Sequence, residues 1–84
     1  MVRIPVTSSN LATVGYLADT SILEIEFRSG AIYRYYGVPD TEYQHFMESP
    51  SLGSYFHKNI RNSYKYKRVD VVPDEDGERY GKGL

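Results

Sequence analysis

The sequence predicts a single α+β domain: a small antiparallel sheet, made of a three-strand meander plus a C-terminal strand, packed with two short helices. Three observations carry this reading. Residues 22–27 alternate apolar and charged side chains, a serine and a glycine interrupt the alternation, and it resumes at once, which is the pattern of a hairpin. After Pro39 the apolar spacing changes from two to three and four, and Pro50 divides that stretch into two short helical segments. With 84 residues, 40% of them hydrophobic and 25% charged, the chain has the composition of one small globular domain and not of a disordered tract.

Taken in order, residues 1–10, with Pro5 and the polar run Thr7, Ser8, Ser9, Asn10, form a lead-in or an edge strand, where a proline is tolerated. Residues 11–17 are rich in β-compatible residues, and Ala18, Asp19, Thr20, Ser21 form a turn. In residues 22–27, Leu23, Ile25 and Phe27 lie on one face and Glu24 and Glu26 on the other. The next strand covers residues 31–36, and the intervening loop length decides where its tyrosines point, because a one-residue slip moves every side chain to the other face. A two-residue loop at Ser29 and Gly30 sets Ile25 opposite Arg34 and mixes the faces. A three-residue loop, with a type I turn at Arg28 and Ser29 and Gly30 left-handed in a G1 bulge, sets Phe27 opposite Ala31, Ile25 opposite Tyr33 and Leu23 opposite Tyr35. It also sets Glu24 opposite Arg34, an opposite-charge pair on an exposed sheet worth roughly 0.2–1 kcal/mol. Both faces are satisfied only in the second register. Tyr33 and Tyr35 therefore contribute ring area to the core with their hydroxyls at its wet rim.

Gly37, Val38, Pro39 turn the chain, and Pro39 or Asp40 starts a helix bearing Tyr43, Phe46 and Met47. Ser51 caps a second helix in which Leu52, Phe56 and Ile60 form a stripe, with Tyr55 beside it and Lys58, Arg61 and Asn62 on another face. Residues 64–69 suit a fourth strand with tyrosines inward and lysines outward, a helix extension being the alternative. The core expected from these elements is Leu23, Ile25, Phe27, Tyr33, Tyr35, Phe56 and Ile60. The domain spans residues 1–72, and residues 73–84 carry too little apolar surface to offset ordering, so a flexible acidic and glycine-rich tail is expected there.

The absence of cysteine removes disulfides and thiolate chemistry and fits a reducing cytoplasm. No apolar run reaches the roughly 18 residues of a spanning helix, so the chain reads as soluble, with no membrane partner. Enzymatic chemistry lacks an inventory. His45 and His57 are the only histidines, and no Cys or patterned carboxylate set completes a metal site, so each is read as a helix-surface residue and no metal is expected. Ser8, Ser9 and Ser51 are turn and cap residues outside any nucleophile elbow, Glu24 and Glu26 share a face but Arg34 opposite and the open sheet suggest an ion pair and not a catalytic dyad, and no phosphate-gripping glycine loop is present. No cofactor is expected.

The charge pattern is more informative than the net charge of −1: residues 55–69 hold five cations, Lys58, Arg61, Lys65, Lys67 and Arg68, and no acid, whereas residues 70–78 hold five acids and no cation. Nine tyrosines accompany them, five in the clusters at residues 33–36 and 64–68. Rings interleaved with cations suit single-stranded nucleic acid, the bases stacking and the cations meeting phosphates. In that reading the candidate contacts are the five cations with Tyr36 and Tyr66, the partner is RNA, either tRNA or single-stranded, and the acidic run competes for the same cations; in the plainer reading both runs are solvated surface and the acidic one solubilises a loose end. The RNA reading requires the five cations to share one surface. The alternative is a protein-interaction or accessory module using an exposed sheet edge or a helical face with Tyr43 and Tyr55.

The residues resemble the KTSC domain family, named after the C-terminal segment of some lysyl-tRNA synthetases and also found as short stand-alone bacterial proteins. The resemblance covers roughly residues 8–69 and rests on Val14, Gly15, Tyr16, on residues 23–27 with Gly30, on the Tyr-x-Tyr at Tyr33 and Tyr35, and on Gly37, Val38, Pro39. It continues through Ser51, Gly53, Tyr55, Phe56, Ile60, Arg61 and Tyr64. Through its synthetase context the resemblance implies an RNA partner, while residues from Pro73 onward fall outside it.

Overall fold

A computed structural model describes residues 1–70, and the expected tail at residues 73–84 lies outside them. The strands are β1 (Ile4–Pro5), β2 (Leu11–Leu17), β3 (Ile22–Phe27), β4 (Ile32–Tyr36) and β5 (Lys65–Arg68), and they form one antiparallel sheet in sequence order. Helix α1 (Asp40–Glu48) and the short α2 (Leu52–Tyr55) cross between β4 and β5. The lead-in is thus an edge strand, and the sheet has five strands where the sequence indicated four.

The β3–β4 register is the one that satisfies both faces: Leu23 pairs with Tyr35, Glu24 with Arg34 and Ile25 with Tyr33. In the connecting turn the Gly30 N–H donates to the Phe27 carbonyl at 2.9 Å and the Phe27 N–H to the Ala31 carbonyl at 2.8 Å. Gly30 sits at φ +100, a conformation that side-chain-bearing residues rarely adopt. A second irregularity is a bulge at Ala12, between the Leu11–Phe27 and Thr13–Glu26 pairs. Without it Leu11 and Val14, three residues apart, would face opposite sides; with it both are buried.

The core lies between the helices and one sheet face, where Leu11, Val14, Leu23, Ile25, Tyr35, Val38, Phe46, Phe56 and Ile60 are buried. Phe27 and Tyr33 are only half-buried: they pack against the core and line an open groove beside it. The second helix is not a uniform α-helix: Ser51 caps it, its Oγ accepting from the Ser54 N–H at 3.3 Å, but α2 gives way to a π-helical turn at Phe56–Ile60 closed by the Arg61 N–H donating to the Phe56 carbonyl at 2.9 Å. Phe56 and Ile60 are both buried in this wider turn.

The two helical segments are joined through Glu42, whose carboxylate accepts the Tyr64 hydroxyl at 2.9 Å and the Tyr55 hydroxyl as well. Tyr43 stacks on Tyr16 with ring centroids 4.3 Å apart, and the Tyr16 hydroxyl donates to the Val38 carbonyl at 2.6 Å. The helical face proposed from sequence for protein contacts is therefore corrected: Tyr43 and Tyr55 are engaged inside the domain. The bond to Glu42 pushes the Tyr55 phenol up to about 12, and burial followed by the same carboxylate does so for Tyr64. Because the folded state holds these protons more tightly than an ordinary phenol at 10, their stabilisation is complete below pH 10 and is lost as pH rises toward 12. Urea midpoints measured from pH 9 to 12 should fall over that window, and the Y55F/Y64F double variant should show a flatter fall. An identical profile in the double variant would contradict this assignment.

On the other sheet face the expectation of an open surface is corrected. Glu24 is only 5% exposed. Its two oxygens accept from Arg3 Nη1 at 2.8 Å and Arg34 Nε at 2.6 Å, so the carboxylate lies between two guanidinium groups. Arg3 reaches it because the N-terminal strand passes over Gly15, where an added Cβ would lie 2.7 Å from the Val2 carbonyl oxygen and 2.8 Å from Arg3 Cγ. Glycine is required there for close approach of backbone to backbone.

Candidate nucleic-acid interface

Alternation along β5 divides the expected basic surface. Tyr66 lies opposite Tyr35 and Arg68 opposite Tyr33, on the helix-covered face, whereas Lys65 lies opposite Tyr36 and Lys67 opposite Arg34, on the Glu24 face. The requirement that five cations share one surface is not met: Arg61 belongs to the helix side with Arg68, and Lys65, Lys67 and Tyr36 belong to the other. Lys58 is exposed and is not part of the groove described below. Arg68 is also engaged, since its Nε and Nη2 donate to the Asp70 carboxylate at 2.7 and 3.1 Å. The Arg68 bonds and the Ile32 N–H hold the Asp70 carboxyl down at about 2. The first acid after the basic block thus folds back onto it.

What the helix-side face does bring together is an open groove of about 560 Å³. Its aromatic wall consists of Phe27, Tyr33, Tyr35, Phe56 and Tyr66, and its rim includes Asn10, Arg28, Ser29, His57, Arg61 and Asn62. The rings are mutually packed: Tyr66 lies 5.7 Å from both Tyr33 and Tyr35, and Phe56 meets Phe27 and Tyr35 edge to face at 5.4 Å. Burial and the neighbouring Tyr33 and Tyr66 phenols push Tyr35 up to about 12, so it is a neutral ring. Tyr66 differs from the others. The sequence indicated an inward ring, and it does stand on the inner face, but β5 is an edge strand of the sheet and the residue is 58% exposed.

Two rim cations lie beside this ring cluster. Arg28 is held by its Nε donating to the Ser8 carbonyl at 2.7 Å, and Arg61 Nη1 lies 3.2 Å from His57 Nδ1. Among the described residues neither has a carboxylate within salt-bridge distance. Arg28 was legible only as a turn residue; the available signal was its position two residues before the glycine of a hairpin leading into Tyr-x-Tyr, which places a cation at the mouth of that face. Among the described residues no group of three His, Cys, Asp or Glu side chains could hold a metal. No helix is long and apolar enough to cross a membrane among those residues.

Together these features define a small α+β module with an aromatic groove, rimmed by cations, at the open corner of its core. The chain belongs to the KTSC domain family, which matches residues 7–64. It is 42% identical over 71 residues to an uncharacterised protein of Stutzerimonas stutzeri, covering 83% of this chain and 100% of that one. A lysine–tRNA ligase of Nostoc sp. strain PCC 7120 is 43% identical over 54 residues, covering 64% of this chain but only 10% of the ligase. A crystal structure of a KTSC domain protein from Yersinia pestis superposes with a TM-score of 0.79 at 37% identity, covering 81% of this chain and 96% of that chain.

Proposed function

We propose that residues 1–72 form a non-enzymatic cytoplasmic module that binds single-stranded RNA, including unpaired segments of tRNA, in the Tyr66 groove. The observation that carries this reading is the exposed Tyr66 ring, seated against Tyr33 and Tyr35 and flanked by Arg28 and Arg61 without acidic partners among the described residues. A base stacks on Tyr66, where such contacts are worth about 1–3 kcal/mol, while Arg61 and Arg28 meet the adjoining phosphates. Asn10 and Asn62 supply donors and acceptors to base edges or the 2′-hydroxyl. Similarity to a segment of lysine–tRNA ligases supports an RNA partner. Lys65, Lys67, Tyr36 and Lys58 lie off the groove, and the lysines contribute through the long-range field.

Fluorescence anisotropy with a labelled oligouridylate tests it. Two phosphate contacts give a slope of about −1.4 in log affinity against log salt. Arg61→Glu should weaken binding about tenfold or more, and Lys65→Glu with Lys67→Glu by less. Loss confined to the lysine variant would move the site to the Glu24 face. A second reading, a protein contact, draws on that face, where Leu17 and Tyr36, 38% and 36% exposed, flank Ile22 in one cross-strand row. Partners recovered from lysate after nuclease treatment, and lost in Tyr36→Glu, would favour it.

A further inference from the structure

Resting on the groove assignment above, we propose that Gly53 is a specificity-determining position of the groove: the sugar–phosphate backbone of the bound strand runs along the helical wall and lies against the bare Cα of Gly53, while its base faces the rings of the sheet. Gly53 stands in α2, half-buried, and is not among the positive-φ glycines, which are Gly30 and Gly37. A Cβ added to it would meet Ser8 Oγ at 3.6 Å and Asn10 Nδ2 at 3.8 Å, both ordinary contacts, and nothing else within 4 Å. Gly15 is the contrast, because there the added Cβ would lie 2.7 Å from a backbone oxygen. The fold therefore admits alanine at position 53, and alanine is the more favourable residue in a helix. Yet Gly53 lines the groove, so its missing side chain leaves room there for close approach by a ligand.

The placement of the two arginines gives the path. Gly53, His57 and Arg61 follow one another at intervals of four residues and all line the groove, so the helical run from Leu52 to Arg61 forms one wall, facing the rings of Tyr33 and Tyr66. From Gly53 to Arg61 this wall is roughly 10–12 Å long at the rise of a helix. Arg61 stands at one end. At the other, Ser8 ties the second cation to the glycine: its Oγ is the nearest atom to the added Cβ, and its carbonyl accepts from Arg28 Nε at 2.7 Å. Arg28 is tethered through Nε and Arg61 through Nη1, so each guanidinium keeps further N–H groups for a phosphate. A strand whose phosphates meet both cations crosses Gly53 on the way. The neighbours at that point, the Ser8 hydroxyl and the Asn10 amide, are polar and suit a sugar, whereas the surface that suits a base is Tyr66. A methyl group at position 53 would lift the strand off the helix and pull the base away from Tyr66.

The test measures melting midpoint and affinity for a labelled oligouridylate in the full chain, in Gly53→Ala and in Gly53→Leu. Gly53→Ala should melt about 2–4 °C higher, through helix propensity and a less flexible unfolded chain, and should bind about three- to tenfold more weakly. Gly53→Leu, with a bulkier side chain in the groove, should lose about tenfold or more. Stability and affinity moving in opposite directions in Gly53→Ala is the signature of a ligand contact, since a packing residue would lose both together. Wild-type affinity in either variant, while Arg61→Glu still weakens binding, overturns the proposal and leaves the groove assignment standing. A lowered melting midpoint in Gly53→Ala also overturns it, because the glycine then serves the fold. Failure of the unsubstituted chain to bind RNA rejects the groove assignment, and the role of Gly53 falls with it.

Discussion

Phe46→Ala is expected to leave the chain largely unfolded at moderate temperature, with the melting midpoint lowered by roughly 15 °C or more. Phe46 is fully buried and its ring lies 5.9 Å from that of Tyr55. It is the main apolar anchor of α1, because Tyr43 and Met47 are only half-buried. Truncation of a buried phenylalanine costs about 3–5 kcal/mol, and a chain of this length holds only about 4–13 kcal/mol in total. Thermal unfolding by circular dichroism reads the effect, with Met47→Ala as a milder comparison. A shift below about 5 °C for Phe46→Ala would show that α1 does not anchor the core.

Glu24→Lys is expected to detach the N-terminal strand at a cost of about 2–3 kcal/mol, below the usual figure for breaking a buried ion pair because both arginines reach water. The substitution places a third cation between Arg3 and Arg34, and Arg3 then has no reason to hold residues 1–5 across Gly15. Amide exchange gives the local reading. The Val6 N–H, which donates to the Ala12 carbonyl at 3.0 Å, should exchange faster in the variant, whereas α1 amides should keep their protection relative to one another. Glu24→Gln, which retains the shape and loses the charge, should show a smaller effect of the same sign. Unchanged exchange at Val6 in Glu24→Lys would mean that the strand is held without the carboxylate.

The fate of Glu24 also shows where sequence reasoning reached and where it stopped. Alternation in residues 22–27 and 31–36, with Gly30 between, determined the β3–β4 register and hence that Glu24 meets Arg34, because only one loop length satisfies both faces. That Arg3 would close over the same carboxylate depends on a contact 21 residues away, made possible by a glycine whose role appears only when the covering strand is in place. The bulge at Ala12 was invisible for a similar reason: Leu11 and Val14 are both apolar, and nothing local says that they share a face. For the site, period-two alternation separated Tyr66 from Lys65 and Lys67, and the structure keeps that separation. The exposure of Tyr66 goes with β5 being an edge strand, and the groove rim depends on a hairpin turn and a π-helical turn lining one groove, which no spacing in the chain announces.

In the proposed function the Tyr66 groove, and not the lysine face of the same strand, receives RNA. Titration of the isotope-labelled full chain with a short oligouridylate, followed residue by residue through amide and aromatic resonances, tests it most directly. The largest changes are expected at Tyr33, Tyr66, Arg28, Arg61 and Asn62, with Tyr36, Lys65 and Lys67 moving much less. Changes centred on Tyr36, Lys65 and Lys67, or none at millimolar RNA, would contradict it.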